Sequence, residues 1–221
     1  ESSRVAKRPV CLIGKGITFD SGGLSMKSAS AMVGMHSDKA GAVTVLAAMS
    51  ALRDLGVATP VRGYLPLAEN LPGPGATRPG DIITMLDGTR VEVVDTDFEG
   101  RVLMADALSL ASRSTAGSSN AQDQAVLAPA AVIDVATLTH QAVTALGPDI
   151  GAVIARDNML ARRVLEAANR VGEPLWELPW TPRYADQTRS RAPGADLRNH
   201  PCTDTGRALT AALFLGAFVP D

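Results

Sequence analysis

VEVVDTDFEGR, residues 91–101, is a β-rich run that delivers Asp95, Asp97 and Glu99 at alternate positions and closes on Arg101. Successive side chains of an extended segment point to opposite faces, so this spacing predicts three carboxylates on one side, with Thr96 and Phe98 on the other. Crowded carboxylates repel one another, and a bound cation relieves the repulsion. Taken alone, D-x-D-x-E reads first as a solvated acidic edge strand entering a turn.

A second cluster upstream shifts that balance. LIGKGITFDSGGLSMK, residues 12–27, is followed by Asp38 in MHSDKAGA. The apolar run at residues 10–13 reads as a buried strand that breaks into a loop carrying Gly14, Gly16, Gly22 and Gly23. Glycines let such a loop turn sharply and approach a ligand closely, and what it presents is Lys15, Asp20 and Lys27. A phosphate cradle is disfavoured, because a Walker loop closes its glycine run with Lys-Ser or Lys-Thr and this run does not.

The 221 residues are 46% hydrophobic, enough for one sizeable core. A formal net charge of -2 argues against a strongly basic nucleic-acid-binding surface. His36, His140 and His200 are scattered and no H-E-x-x-H occurs, so a histidine-ligated zinc site is not expected. Cys11 lies in the apolar first strand as a buried free thiol and Cys202 in a polar loop; two cysteines make no disulfide framework, which fits a reducing, cytoplasmic compartment. No uncharged apolar run reaches membrane-spanning length, and the opening ESSRVAKR lacks the apolar core of a signal peptide.

Along the chain, Ser37 or Asp38 is placed to cap a mostly buried helix through AGAVTVLAAMSALRDLG, stopped at Gly56. TPVRGYLPLAEN reads as a strand and the Pro/Gly-dense NLPGPGATRPG as a rigid loop; DIITML and RVEVVD, separated by DGT, form a hairpin. A helix follows from Arg101, then an exposed loop at TAGSSNAQDQ. AAVIDVATL is a strand, HQAVTALG a short helix and DIGAVIA a strand. DNMLARRVLEAANRVG is an amphipathic helix ending at Gly172. Trp176 and Trp180 fall in a proline-broken stretch and read as core or inter-subunit packing, and TGRALTAALFLGAFV closes the chain as a buried helix. Alternating strands and helices with one antiparallel hairpin predict an α/β fold, a three-layer sandwich with a central mixed β-sheet flanked by helices.

GKGITFDSGGLSMK, SDKAGA, DTDFEGRVLMADAL, DVATLT and TGRALTAALFL, in that order and spanning nearly the whole chain, resemble the leucyl aminopeptidase (M17) family in its C-terminal catalytic domain. The resemblance implies a single catalytic domain over residues 1–221, with the family's N-terminal domain and final stretch outside this sequence. It implies two divalent cations, zinc or manganese with magnesium or cobalt as alternatives. One is held by Asp20, Asp97 and Glu99, the other by Lys15, Asp20, Asp38 and Glu99. A lysine ligates only as a neutral amine, which burial and nearby cations favour. Such a pair activates water, anchors the α-amine of a peptide and polarises its scissile carbonyl. Lys27 is implied as the cation that stabilises the tetrahedral oxyanion, and Arg101 as the holder of a bicarbonate that shuttles the water proton. Met35, Thr137, Leu138 and Thr139 match positions that line the side-chain pocket and bind the peptide backbone. The implied activity is removal of a leucine-like N-terminal residue by a cytoplasmic homohexamer, with no nucleic-acid or membrane partner.

Some positions depart from the family pattern. Lys39 stands where an apolar methionine is usual, Asp95 for Asn, Phe98 for a small Ala and His140 for Gly, and HPCTDTGRAL replaces a glycine-rich run. Phe98 and His140 add bulk near the expected cleft. These departures support a second reading, a catalytically weak or inactive homologue kept as a structural subunit. A two-metal phosphoesterase is disfavoured because Lys15 as ligand and Lys27 match the peptidase pattern.

Overall fold

The computed structural model describes residues 7–113 and 127–220, so the expected loop at TAGSSNAQDQ lies outside the described residues. The chain opens with β1 (Val10–Gly14) and β2 (Gly16–Asp20), then a short helix α1 (Ala29–Met32) and α2 (Ala40–Ala51). Next come β3 (Val61–Tyr64), β4 (Leu67–Asn70), the hairpin β5 (Ile82–Thr84) and β6 (Arg90–Glu92), and α3 (Glu99–Ser112). β7 (Ala131–Val135), α4 (His140–Leu146), β8 (Gly151–Val153), α5 (Asn158–Val171), β9 (Leu175–Glu177), β10 (Leu197–Arg198) and α6 (Arg207–Gly216) follow.

The α/β class holds, with helices flanking the strands and one antiparallel hairpin making the strand set mixed. The strands hydrogen-bond as four small sheets, ordered β3-β1-β7, β10-β6-β5, β2-β4 and β8-β9. The first and third are one parallel ladder interrupted: β1 pairs with β3 up to Ile13 and Tyr64, and β2 pairs with β4 from Gly16 and Leu67 onward. The break falls at Lys15 on one side and at Leu65–Pro66 on the other, since proline has no N–H to give a ladder. TPVRGYLPLAEN is therefore two strands, and the expected glycine loop is strand from Gly16 to Asp20, with the loop starting at Ser21.

Alternation along β1 assigns its faces. Cys11 and Ile13 point into the main core with Met104, Ala107, Leu108 and Ala111 of α3 and Phe214 and Leu215 of α6. On the opposite face α2 packs so closely that a Cβ on Gly14 would meet the backbone of Gly41 at 2.5 Å, and one on Gly41 would meet Val135 O at 2.0 Å. These contacts make a helix, sheet, helix layering around β1. The outer side of α2 is not covered: Val43 and Leu46 are exposed, so this helix is less buried than its apolar composition predicts. It also starts without a side-chain cap at Lys39, because the Asp38 carboxylate is engaged by Lys15 instead.

The amphipathic α5 is capped by Asp157, which accepts from Met159 N and Leu160 N, and stops at a left-handed Gly172, as expected. α6 buries Thr210, Ala211, Leu213, Phe214 and Leu215. Trp176 is 62% exposed and so is not core in this chain, while Trp180 stacks under the Arg156 guanidinium. Cys11 is buried and Cys202 exposed, both free. No helix among the described residues is long and apolar enough to cross a membrane.

Candidate metal centre and active site

The stretch that suggested the site does not stay extended. β6 ends at Glu92, residues Thr96–Phe98 form a 3-10 turn, and Glu99 opens α3. Asn199 removes the strand option by accepting Val94 N and Asp95 N on its Oδ1 and donating to Asp95 O. Asp95 then caps the turn, its carboxylate accepting from Asp97 N at 2.9 Å. The three carboxylates are thus divided: Asp97 and Glu99 turn inward, and Asp95 serves the backbone. Thr96 is buried, donating to Gly22 O and accepting from Ser25 N, which ties this turn to the loop after β2.

The functional side chains gather at the carboxyl ends of the parallel strands, where α/β sheets ordinarily bind ligands. Lys15 occupies the one-residue break between β1 and β2. Its backbone is held by β7 and α2, N–H donating to Val135 O at 3.0 Å and C=O accepting from Ala42 N at 2.8 Å. Its ammonium, buried, lies 2.6 Å from Asp38 Oδ2 and 3.2 Å from Glu99 Oε1, and donates to Thr137 O. Gly100 permits that course, since a Cβ there would stand 2.3 Å from Lys15 Cε. Asp38 Oδ1 accepts from Thr137 Oγ1 at 2.7 Å, while its buried Oδ2 faces only the Lys15 ammonium among the described residues.

Asp20 ends β2 after a register shift against β4, a bulge of the kind that re-aims a side chain. Its Oδ1 accepts from Gly22 N at 2.9 Å and Asn70 Nδ2 at 2.8 Å. Its Oδ2 is 2.9 Å from Lys27 Nζ, which also donates to Asp97 Oδ1. Asp20, Asp97 and Glu99 each bring an oxygen within 4.8 Å of the others. Two oxygens on one ion at about 2.1 Å each are at most about 4.2 Å apart, so a small closure lets this trio share a cation. Together with the Asp38 oxygen and the lysine nitrogen it faces, these donors fit an oxygen-rich, single-nitrogen divalent metal site.

Electrostatics follows the same division. Burial would pull the Lys27 pKa down, but its hydrogen bonds to Asp97 and Asp20 outweigh that and leave it above the ordinary lysine value. Burial raises Asp97 against the opposing pull of Lys27. Burial also raises Glu99, opposed by Lys15 and reinforced by Asp20 and Asp38. Carboxyls so placed favour either protonation or a cation.

Arg101, in the first turn of α3, is 1% exposed, and none of its three guanidinium nitrogens has a hydrogen-bond partner among the described residues. The group lies over the Phe98 ring at 4.8 Å and near Phe214 at 5.9 Å. Burial, with Arg207 adding to it and Glu99 opposing, brings its pKa down to about 10, so it stays cationic near neutrality. An unpaired buried cation is a ready seat for a small anion.

Met35 is half-buried in the 3-10 turn Met35–Ser37 that packs on β2. Thr137 touches the site through Asp38 and Lys15; Leu138 turns to the main core; Thr139 precedes α4 without capping it. Lys39 bends back to His36 O at 2.7 Å, and His140 is exposed at the start of α4. Asn70, Thr96 and Asn199 carry no signal in the sequence that marks them as site residues. The Asn70 side chain is nonetheless central, its Nδ2 reaching Asp20 Oδ1, Thr96 O and Glu99 Oε2. An apolar cavity of about 730 Å³, lined by Ile17, Tyr64, Met85, Val93 and Val102, adjoins Asn70 and Glu99, but Asp20, Asp38, Asp97, Lys15 and Lys27 lie outside it.

Comparison with known proteins bears on the whole of this arrangement. The "Cytosol aminopeptidase family, catalytic domain" matches residues 1–221. The probable cytosol aminopeptidase of Geobacter sulfurreducens is 44% identical over 96% of this chain, and that of Azotobacter vinelandii 43% over 96%. The chain spans 40% of the length of each of these relatives. Among solved structures, the bottromycin maturation enzyme BotP in complex with Mn superimposes with a TM-score of 0.86 at 45% identity, covering 97% of this chain and 44% of that one. The cytosol aminopeptidase from Coxiella burnetii gives 0.85 at 35% identity, covering 98% and 44%. A family match over residues 1–221, with relatives and solved structures that cover 96% to 98% of the chain, makes this chain a member of the cytosol aminopeptidase family, within its catalytic domain.

Proposed function

We propose that this domain hydrolyses the N-terminal residue, leucine-like, from short peptides with the help of two divalent metal ions. The observation that carries the reading is the convergence of Asp20, Asp38, Asp97 and Glu99 with Lys15 and Lys27 at one set of strand ends. Asp20, Asp97 and Glu99 would hold one ion, and Lys15, Asp20, Asp38 and Glu99 the other. When bound, the ions supply Lewis-acid chemistry to the water and the scissile carbonyl. The Mn complex of BotP supports manganese, and zinc, magnesium and cobalt suit the same donors.

The chain's own groups do the rest. Lys15 would ligate the second ion through its Nζ as a neutral amine. Lys27, paired here with Asp20 and Asp97, would supply its ammonium to the developing oxyanion once those carboxylates hold an ion. Asn70 steadies the Asp20 and Glu99 carboxylates from behind. Arg101 would hold a bicarbonate that takes the proton of the attacking water, supported by its buried, unpartnered nitrogens. Met35, Thr137, Leu138 and Thr139 would form the substrate wall. The peptide substrate, a homohexameric state and a cytoplasmic location complete the proposal; the last is in keeping with two free cysteines.

The rival reading, an inactive structural homologue, rests on added bulk and charge. Lys39 facing His36 O and Phe98 packed on Arg101 support the active reading, because neither side chain is paired with the carboxylate cluster. The test is turnover of a leucyl chromogenic substrate by the full-length protein loaded with manganese, with metal counted per chain. Two metals and turnover are expected. Fewer than two metals, with no turnover, would leave the structural reading standing. Light scattering tests the hexamer.

A further inference from the structure

We propose that Phe98 is a positioning residue: its ring holds the Arg101 guanidinium flat for a small planar oxyanion of the carbonate or carboxylate class, with His200 and Arg207 bracing the ring from the other segment. The inference rests on the functional reading above, in which Arg101 seats an anion.

Arg101 is enclosed, and its three nitrogens lack hydrogen-bond partners among the described residues. Phe98 and Phe214 lie at its guanidinium, at 4.8 and 5.9 Å from ring centroid to Cζ. Aromatic faces attract the cation without accepting its in-plane N–H bonds, so the donor edge of the fork remains for a flat anion that accepts several at once. The two rings have different reasons to be there. Phe214 is fully buried core of α6 and needs no other role. Phe98 sits half-buried in a 3-10 turn between Asp97 and Glu99, where the main core does not claim it.

What fixes Phe98 comes from residues 200–207. The His200 ring is 4.4 Å away, tilted by 54°, and the Arg207 guanidinium lies 5.6 Å from the same ring centroid. Arg207 is itself secured by His200 Nε2 and by Asp204. Phe98 and the HPCTDTGRAL run are separate departures from the family pattern in sequence, and in space they form one contact. A bulky ring at 98 and cationic and aromatic groups at 200 and 207 therefore act as a set, and Arg101 is what the set faces.

The experiment uses the full-length, metal-loaded protein. Arg101 is labelled with phenylglyoxal and followed by peptide mass spectrometry, with sodium bicarbonate as the anion probe, alongside kcat and KM. Phe98→Leu, which keeps bulk but removes the aromatic face, is expected to speed labelling about tenfold and to raise the bicarbonate needed for protection about tenfold. Its kcat should fall in bicarbonate-depleted buffer at unchanged KM and recover at high bicarbonate. Phe98→Tyr should behave as wild type. If Phe98→Leu fails to fold, Arg207→Ala should shift the same readouts by about threefold, and no shift there overturns the proposal. Equal protection of wild type and Phe98→Leu would overturn the role of Phe98 alone. No bicarbonate effect on Arg101 in the wild type would overturn the anion reading, and this inference with it.

Discussion

Two lysines meet two pairs of carboxylates in this site, and they do so on unequal foundations. Lys15 is 4% exposed at its side chain, with its backbone stitched to β7 and α2 and its course set by Gly100. Lys27 rides on the loop after β2, its side chain 14% exposed and its partner Asp97 30% exposed. The sequence motif presents both lysines alike, but the scaffold makes one a fixed member of the cage and leaves the other room to move. Motif membership therefore does not equate two residues: the packing around each decides whether it can be a ligand or a mobile cation.

The sharpest way to break this comparison is to remove each ammonium in turn. Lys15→Met leaves Asp38 and Glu99 buried without their counter-charge, and a loss of about 3–5 kcal/mol is expected in a chemical unfolding curve of the metal-free protein. Lys27→Met should instead lower kcat about 10²–10³-fold through the lost oxyanion contact. The same change should tighten manganese binding in calorimetry, since an internal cation no longer occupies Asp20 and Asp97. Weakened manganese binding by Lys27→Met would erase the distinction between the two lysines.

Gly100→Ala sharpens the sealed side. The added methyl collides with Lys15 Cε, and overpacking of this kind costs about 1–3 kcal/mol in the melting transition. On the open side, Asn70→Ala removes the amide behind Asp20 and Glu99, and about a tenfold loss in metal affinity is expected by calorimetry with little change in fold.

The smallest effect belongs to the brace behind the open side. Hydrogen bonds from Arg90, its backbone N–H first, hold Asp196 below the ordinary carboxylate value, which tethers β10 and the Asn199 that follows it. A depressed folded-state pKa stabilises above the unfolded value and loses that stabilisation as pH falls through the folded one. Asp196→Asn should therefore lower the melting temperature slightly near neutrality, and the difference from wild type should vanish in strong acid.

Much of the site is legible in the sequence because its residues fall in short runs with distinctive spacing. The β1 strand, the β5–β6 hairpin, the caps of α5 and the carboxylates Asp20, Asp38, Asp97 and Glu99 all follow from periodicity, turn chemistry or resemblance. Alternation misplaces Asp95 because it assumes a continuing strand, and a strand whose N–H groups are taken by Asn199 does not continue. Asn70 and Asn199 act across 26 to 105 residues of sequence, so no local pattern marks them. The uncovered side of α2 is hidden for a related reason: composition reports that a helix is apolar and does not report what packs against it.

By itself the sequence determined the α/β class, most of the order of elements and the chemical kinds gathered at a candidate metal site, because periodicity, turns and short spacings are local properties of the chain. Only the tertiary structure decided that Lys15 is clamped at a ladder break while Lys27 remains on a loop, and that Phe98 meets His200, Arg207 and Arg101. Those outcomes depend on how closely distant backbones approach and which buried charges are left to one another, and neither quantity exists until the chain has folded.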